Sequence, residues 1–138
     1  MSRFRNIFLT SRKRANCLAA KMLKIKAILT IGAENRLDDK ITGQVEAYEI
    51  CNAQDLSTHE NVVAFRKTFL PKTRSFLKNW LERGNVLIHC KRGVCRSPLI
   101  VLDYLINIAQ MDSQEAGLLL SSKRKCARPT FTLLQSLF

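Results

Sequence analysis

Apolar and polar positions alternate in two different rhythms along the chain. Short apolar segments at 7–10, 25–32 and 86–90 are rich in β-branched residues, and 45–51 alternates apolar and polar, so these four read as strands. Elsewhere apolar residues recur every three or four positions. Ala15, Leu18, Ala19, Met22 and Leu23 predict a helix that starts at Ser11 or Arg12. Val62, Phe65, Phe69, Phe76, Leu77, Trp80 and Leu81 predict an amphipathic helix over 62–82, kinked or broken by Pro71 and ended by Arg83-Gly84-Asn85. The stretch 97–110 predicts a largely buried helix with Pro98 tolerated in its first turn. Another helix follows over 111–122, with Asp112 or Ser113 as N-cap and Glu115 near the third position. Residues 34–44 and 52–61 read as polar loops, 123–128 as a basic connection and 129–138 as a short closing helix.

Strands that alternate with helices predict an α/β fold. The expected architecture is a mostly parallel sheet of four to five strands, flanked by helices on both faces. The 138 residues suffice for one domain, expected to span 1–138, and not for two. No apolar run approaches the roughly 20 residues needed to cross a bilayer.

Charge and cysteine usage narrow the picture. Lys and Arg number 23 against 11 Asp and Glu, a formal net charge of +12, which favours anionic partners such as phosphoproteins, phospholipid head groups or nucleic acid. The five cysteines, Cys17, Cys51, Cys90, Cys95 and Cys126, are odd in number and irregularly spaced, unlike a secreted disulfide framework. No Cys-x-x-Cys pair occurs, and His59 is far in sequence from His89, so metal binding reads poorly; no cofactor is expected. A reduced, intracellular protein, cytoplasmic or nuclear, is the simplest expectation. The Arg-rich start is also like a transit peptide, but that segment is needed for the first strand and helix.

One stretch, VLIHCKRGVCRSPLIVLDYLI (86–106), interrupts an apolar run with a histidine, two cysteines, a glycine and three cations. It places His89 and Cys90 at the carboxyl end of a strand, where parallel sheets bind ligands. The amides of Lys91, Arg92, Gly93, Val94 and Cys95, ahead of a helix N-terminus, form an anion nest. Gly93 permits a backbone turn that a side chain would oppose. Arg96 supplies a planar fork for two phosphate oxygens. The same field lowers the pKa of Cys90 and makes its thiolate a nucleophile under the bound phosphorus.

His-Cys, five residues, then Arg-Ser is the pattern of the cysteine-dependent protein phosphatases, and the whole stretch resembles the dual-specificity phosphatases among them. Residues 7–32 resemble their opening strand–helix–strand unit, and 127–138 their closing helix, with Thr130 where asparagine is common. The resemblance implies a phosphatase-like fold, a phosphocysteine intermediate, no metal and a separate aspartate as general acid. It carries that role to Asp55 in CNAQDLSTHEN, ahead of Asp38 and Asp39, although an aspartate there also suits a helix cap. It makes Ser97 the hydroxyl that helps the Cys90 sulfur leave, and His89 an orienting residue.

The substrate expected from the resemblance is a protein phosphorylated on tyrosine, serine or threonine. Two cations beside Cys90, Lys91 and Arg92, depart from many protein-directed members. They open two alternatives, a phosphoinositide or phospholipid phosphatase and an RNA 5′-triphosphatase. A catalytically silent phosphate-binding module is a third, which the presence of Cys90, Arg96 and Asp55 disfavours. Cys95 is either a plain thiol or a disulfide partner for Cys90.

Overall fold

The computed structural model describes residues 1–18 and 23–128. Five strands, β1 (Ser2–Phe4), β2 (Ile7–Ser11), β3 (Ile25–Ile31), β4 (Ala47–Cys51) and β5 (Asn85–Cys90), form one sheet in the order β1-β2-β5-β3-β4. Only β1 runs antiparallel; the β2–β5, β5–β3 and β3–β4 pairings are parallel. The carboxyl ends of β2 to β5 therefore lie along one edge. The register sets Thr10 and Thr30 on either side of His89, and Ser11 beside Cys90.

Alternation along the strands sorts their side chains into two cores. Ile7, Leu9, Leu29, Ile31, Val86, Ile88 and Cys90 share one face with Phe65, Leu77, Leu99 and Leu120. Phe8, Ile28 and Leu87 share the other with Ala15, Leu18, Leu37 and Ile41. The first face carries the long helices α3 (His59–Ala64), α4 (Leu70–Leu81), α5 (Arg96–Asn107) and α6 (Ser113–Lys123). Among the described residues the second carries only single turns, α1 (Arg12–Ala15) and α2 (Asp39–Thr42). None of the described helices is long and apolar enough to cross a membrane.

Several elements differ from the sequence expectation. The helix expected from Ser11 onwards is one turn, capped by the Ser11 hydroxyl accepting from the Arg14 amide; Ala19 and Met22 lie outside the described residues. The polar stretch 34–44 is not all loop, since Ala33–Asn35 makes a 3-10 turn and α2 follows. Strand β1 was unforeseen. It pairs with β2 through a turn at Arg5 and Asn6, with Arg5 at φ 56°, so no glycine announces the hairpin. The 62–82 helix begins earlier, at His59, where the Thr58 hydroxyl accepts from the Asn61 amide. Before Pro71 it widens into a π-turn over Phe65–Phe69. That turn accommodates the proline ring, which in a regular helix presses on the carbonyl four residues back. Asp112 proves to be the N-cap of α6, accepting from the Gln114 and Glu115 amides. The closing helix expected at 129–138 lies outside the described residues.

Helix α5 is the most apolar of the set, with Leu99, Ile100, Val101, Leu102 and Leu105 all buried. Its one buried carboxylate, Asp103, receives Arg74 Nε at 2.8 Å and Nη2 at 2.6 Å, and Asn107 Nδ2 at 2.8 Å. This two-pronged pairing from α4 satisfies a charge that would otherwise be costly to bury, and it fixes α5 along its length.

Candidate active site

The site forms where β5 ends. His89 and Cys90 are adjacent in a strand, so their side chains enter opposite faces of the sheet. Cys90 Sγ turns toward α5 and lies 3.2 Å from Ser97 Oγ. The Ser97 and Gly93 amides also point at the sulfur. Burial pushes the Cys90 thiol up, but the Ser97 hydroxyl, these two amides and the Arg96 charge outweigh it, and the thiol ends below its ordinary value. The Ser97 amide is available because the first turn of a helix has no internal acceptors for its N–H groups.

His89 enters the other face, wholly buried. Its Nδ1 lies 3.1 Å from the Cys90 carbonyl and its Nε2 lies 2.7 Å from Thr30 Oγ1. A carbonyl only accepts, so Nδ1 carries the proton and Nε2 accepts from Thr30. Thr30 then accepts from Tyr48 Oη at 2.8 Å, and Tyr48 accepts from the Leu37 amide at 3.0 Å. Burial, against the pull of the Cys90 carbonyl and helped by the Arg12 charge, pushes the imidazole down to about 4, so it stays neutral. The polar chain thus runs in one sense, from Leu37 to Cys90.

Arg96 is buried, and its Nη1 donates to Glu34 Oε1 at 2.7 Å and to the Ala53 carbonyl at 3.1 Å. Partial burial works against the charge on Glu34, but the Arg96 hydrogen bond, the glutamate's own backbone and the charges of Arg96 and Lys91 hold it below the usual carboxylate range. The pair passes directly over Gly32, at φ 92°, where a Cβ would collide with both side chains. Glu34 was not among the residues expected from sequence. It sits just past the end of β3, and the rule that placed Cys90 at a strand's carboxyl end points to it equally.

A cleft of about 250 Å³ collects the remaining residues: Asp55, Leu56, Cys90, Lys91, Arg92, Val94, Cys95 and Arg96. Asp55 is exposed, and among the described residues only its backbone carbonyl is engaged, accepting from Asn61 Nδ2 at 2.6 Å. The cap of α3 is Thr58, so the Asp55 carboxylate is not spent on capping. Asp38 and Asp39 lie instead at the start of α2. Cys95 is half-buried at the N-cap position of α5. Lys91 and Arg92 are exposed and also border a broad neighbouring depression with Arg12, Lys13 and Glu34. Three of the loop's outward carbonyls have backbone partners: Lys91 receives the Arg12 amide at 2.9 Å, Val94 the Arg128 amide at 2.6 Å and Cys95 the Leu99 amide at 3.2 Å. No cluster of histidine, cysteine and acidic residues suited to a metal occurs among the described residues.

Comparison with known proteins agrees with this geometry. The catalytic domain pattern of the dual specificity phosphatases matches residues 7–138. The chain belongs to that family. It is thus a phosphoric monoester hydrolase by family, of the protein-tyrosine and dual-specificity class. It is 34% identical over 115 residues to an Amsacta moorei entomopoxvirus protein with the provisional name tyrosine-protein phosphatase AMV078, covering 83% of this chain and 67% of that protein. It is 38% identical over 56 residues to rat dual specificity protein phosphatase 5, covering 41% of this chain and 15% of that longer protein. Among solved structures, the human tyrosine phosphatase-like serine/threonine/tyrosine-interacting protein superposes with a TM-score of 0.79 at 20% identity, covering 97% of this chain and 89% of that one. The Yvh1 phosphatase domain of Chaetomium thermophilum gives 0.76 at 20% identity, covering 96% and 88%. At such identity these two speak for the fold.

Proposed function

We propose that the chain hydrolyses phosphate monoesters on phosphotyrosine and phosphoserine/threonine proteins through a phosphocysteine intermediate. The observation that carries the reading is the set of donors on the Cys90 sulfur, at the floor of a cleft that Asp55 and Arg96 also line. Phosphate oxygens bind the 91–95 amides and the Arg96 fork, which puts phosphorus above the sulfur. The Cys90 thiolate attacks, an S–P bond forms and the ester P–O bond breaks. The leaving oxygen takes its proton from the Asp55 carboxyl. Water then attacks the phosphocysteine and gives its proton to the Asp55 carboxylate. The sulfur departs as thiolate with the Ser97 hydroxyl donating to it, and inorganic phosphate is released. His89 acts from behind by fixing the Cys90 carbonyl, and Glu34 holds Arg96 across the cleft.

A second reading has one specific support. Lys91 and Arg92 face both the cleft and the depression that Arg12 and Lys13 line, so a substrate with several phosphates would meet cations beyond the first site. The phosphoinositide and RNA 5′-triphosphate alternatives rest on this. A panel at equal concentration separates the readings: phosphotyrosine and phosphothreonine peptides, phosphoinositide vesicles and 5′-triphosphorylated RNA. Turnover of the peptides is expected to lead. A lead by either polyphosphorylated substrate, abolished in the Lys91→Ala, Arg92→Ala double variant, would overturn the protein-directed reading.

A further inference from the structure

We propose that Arg124, just beyond α6, is a positioning residue that holds the 91–95 loop in its anion-binding shape from behind. The inference rests on the reading of Cys90 as nucleophile. It begins with an account of the loop's carbonyls. A loop whose amides all face an anion turns its carbonyls outward, and each outward carbonyl needs a donor. The Cys90 carbonyl has His89 Nδ1, Lys91 has the Arg12 amide, Val94 the Arg128 amide and Cys95 the Leu99 amide. The two in the middle, Arg92 and Gly93, are left to one side chain. Arg124 Nη2 donates to the Arg92 carbonyl at 3.2 Å and Nε donates to the Gly93 carbonyl at 2.7 Å.

The guanidinium is itself held. Its Nη1 donates to Ser2 Oγ at 3.2 Å and lies 3.5 Å from the Leu9 carbonyl, so β1 and β2 form its backstop. Ser2 is buried there, which gives the short hairpin strand a use beyond closing the sheet. Gly93 has φ 68°, and a Cβ on it would collide with Arg124 Nη2 and with the Thr10 carbonyl. Glycine is thus required both for the turn and for the arginine's approach. The coupling to chemistry is direct: the Gly93 peptide offers its carbonyl to Arg124 on one side, and the residue's own amide to the Cys90 sulfur on the other. Arg124 never touches the phosphate. A lysine cannot replace it, because one ammonium does not span two consecutive carbonyls with the same fixed fork.

The test measures Cys90 apart from turnover. Iodoacetamide alkylation is followed site by site by peptide mass spectrometry from pH 4 to 9 in the wild type, Arg124→Ala and Arg124→Lys. Circular dichroism and thermal melting establish folding, and inhibition by vanadate reports the anion nest. In Arg124→Ala the Cys90 alkylation midpoint should rise by roughly one pH unit as the Gly93 amide loses its aim. The acidic limb of kcat/KM should move with it, kcat/KM should fall by about 10- to 100-fold, and vanadate should bind more weakly. Arg124→Lys should shift in the same sense by less. A folded Arg124→Ala with wild-type midpoint and vanadate affinity overturns the proposal. If that variant does not fold, an unshifted midpoint in Arg124→Lys overturns it. The reading of Cys90 fails separately, in the wild type itself, if its midpoint is no lower than those of the exposed Cys17 and Cys126.

Discussion

Two cysteines end strands of the same sheet, on either side of β3, and behave oppositely. Cys51 closes β4 and Cys90 closes β5, and they are 7% and 4% exposed. Burial pushes the Cys51 thiol up to about 11; the Ala53 amide and Lys72 relieve this only partly, and Glu49 adds to it. Burial pushes Cys90 the same way and loses. What differs is the chain that follows. After β5 comes a tight loop that feeds α5, so two amides and a hydroxyl converge on the sulfur. After β4 comes an irregular segment up to Thr58, and the helix it reaches is capped by its own threonine. A strand-end thiol is therefore not reactive by position; the donors supplied by the next seven residues make it so.

The sharpest way to break this comparison is to exchange each sulfur for oxygen. Cys90→Ser should reduce turnover by at least about 10³-fold while phosphate esters still bind, since the nest and Arg96 remain. Cys51→Ser should leave the steady-state rate on phosphotyrosine peptide at the wild-type level. Equal losses in the two variants would mean that neither thiol acts as a nucleophile.

The segment after β4 has its own part, because it carries Asp55. Asp55→Asn should slow phosphothreonine hydrolysis by about 10²–10⁴-fold. The loss should be far smaller for an aryl ester whose leaving group departs without a proton. Parallel rates for the two esters in wild type and variant would check this, and an equal loss on both would move the general acid elsewhere.

A subtler test removes one donor from the sulfur. The Ser97 hydroxyl favours the thiolate, so Ser97→Ala should raise the Cys90 pKa. Activity needs the deprotonated thiol, so the acidic limb of kcat/KM should shift to higher pH, and at low pH the variant should lose more than at neutral pH. The smallest effect is expected at Glu34. Glu34→Gln keeps a hydrogen-bond acceptor for Arg96 but removes the charge, so KM should rise several-fold with kcat less affected. A fall in kcat alone would show that Glu34 acts on the chemistry rather than on substrate capture.

The β5–loop–α5 unit was legible in the sequence because its signal is local. An apolar strand, a glycine among cations and an apolar helix follow one another without a gap, and Cys90, Lys91, Arg92, Val94, Cys95 and Arg96 do line one cleft. The strands near 7–10, 25–32 and 45–51 were legible for the same reason. Residues that act across the sheet were not. Glu34 meets Arg96 over a separation of 62 positions, and Arg124 meets Gly93 over 31. Neither has a periodic or spaced motif of its own. The helix expected after Ser11 starts at Arg12 as read, but its apolar spacing does not decide how far a turn continues, and only Arg12–Ala15 are helical among the described residues of that stretch. β1 failed because three residues give too short an alternation to read.

The polar chain behind His89 also has a bearing on motion. Its first donor, the Leu37 amide, belongs to the connection between β3 and α2 that also carries Glu34. That connection is therefore fastened twice to the 89–96 segment, through Tyr48, Thr30 and His89 on one face and through Arg96 on the other. An amide in an irregular connection ordinarily trades its hydrogen for deuterium within the fast population. Leu37 should instead exchange with the slow kinetics of the sheet, and Tyr48→Phe, by withdrawing its acceptor, should release it to the fast one.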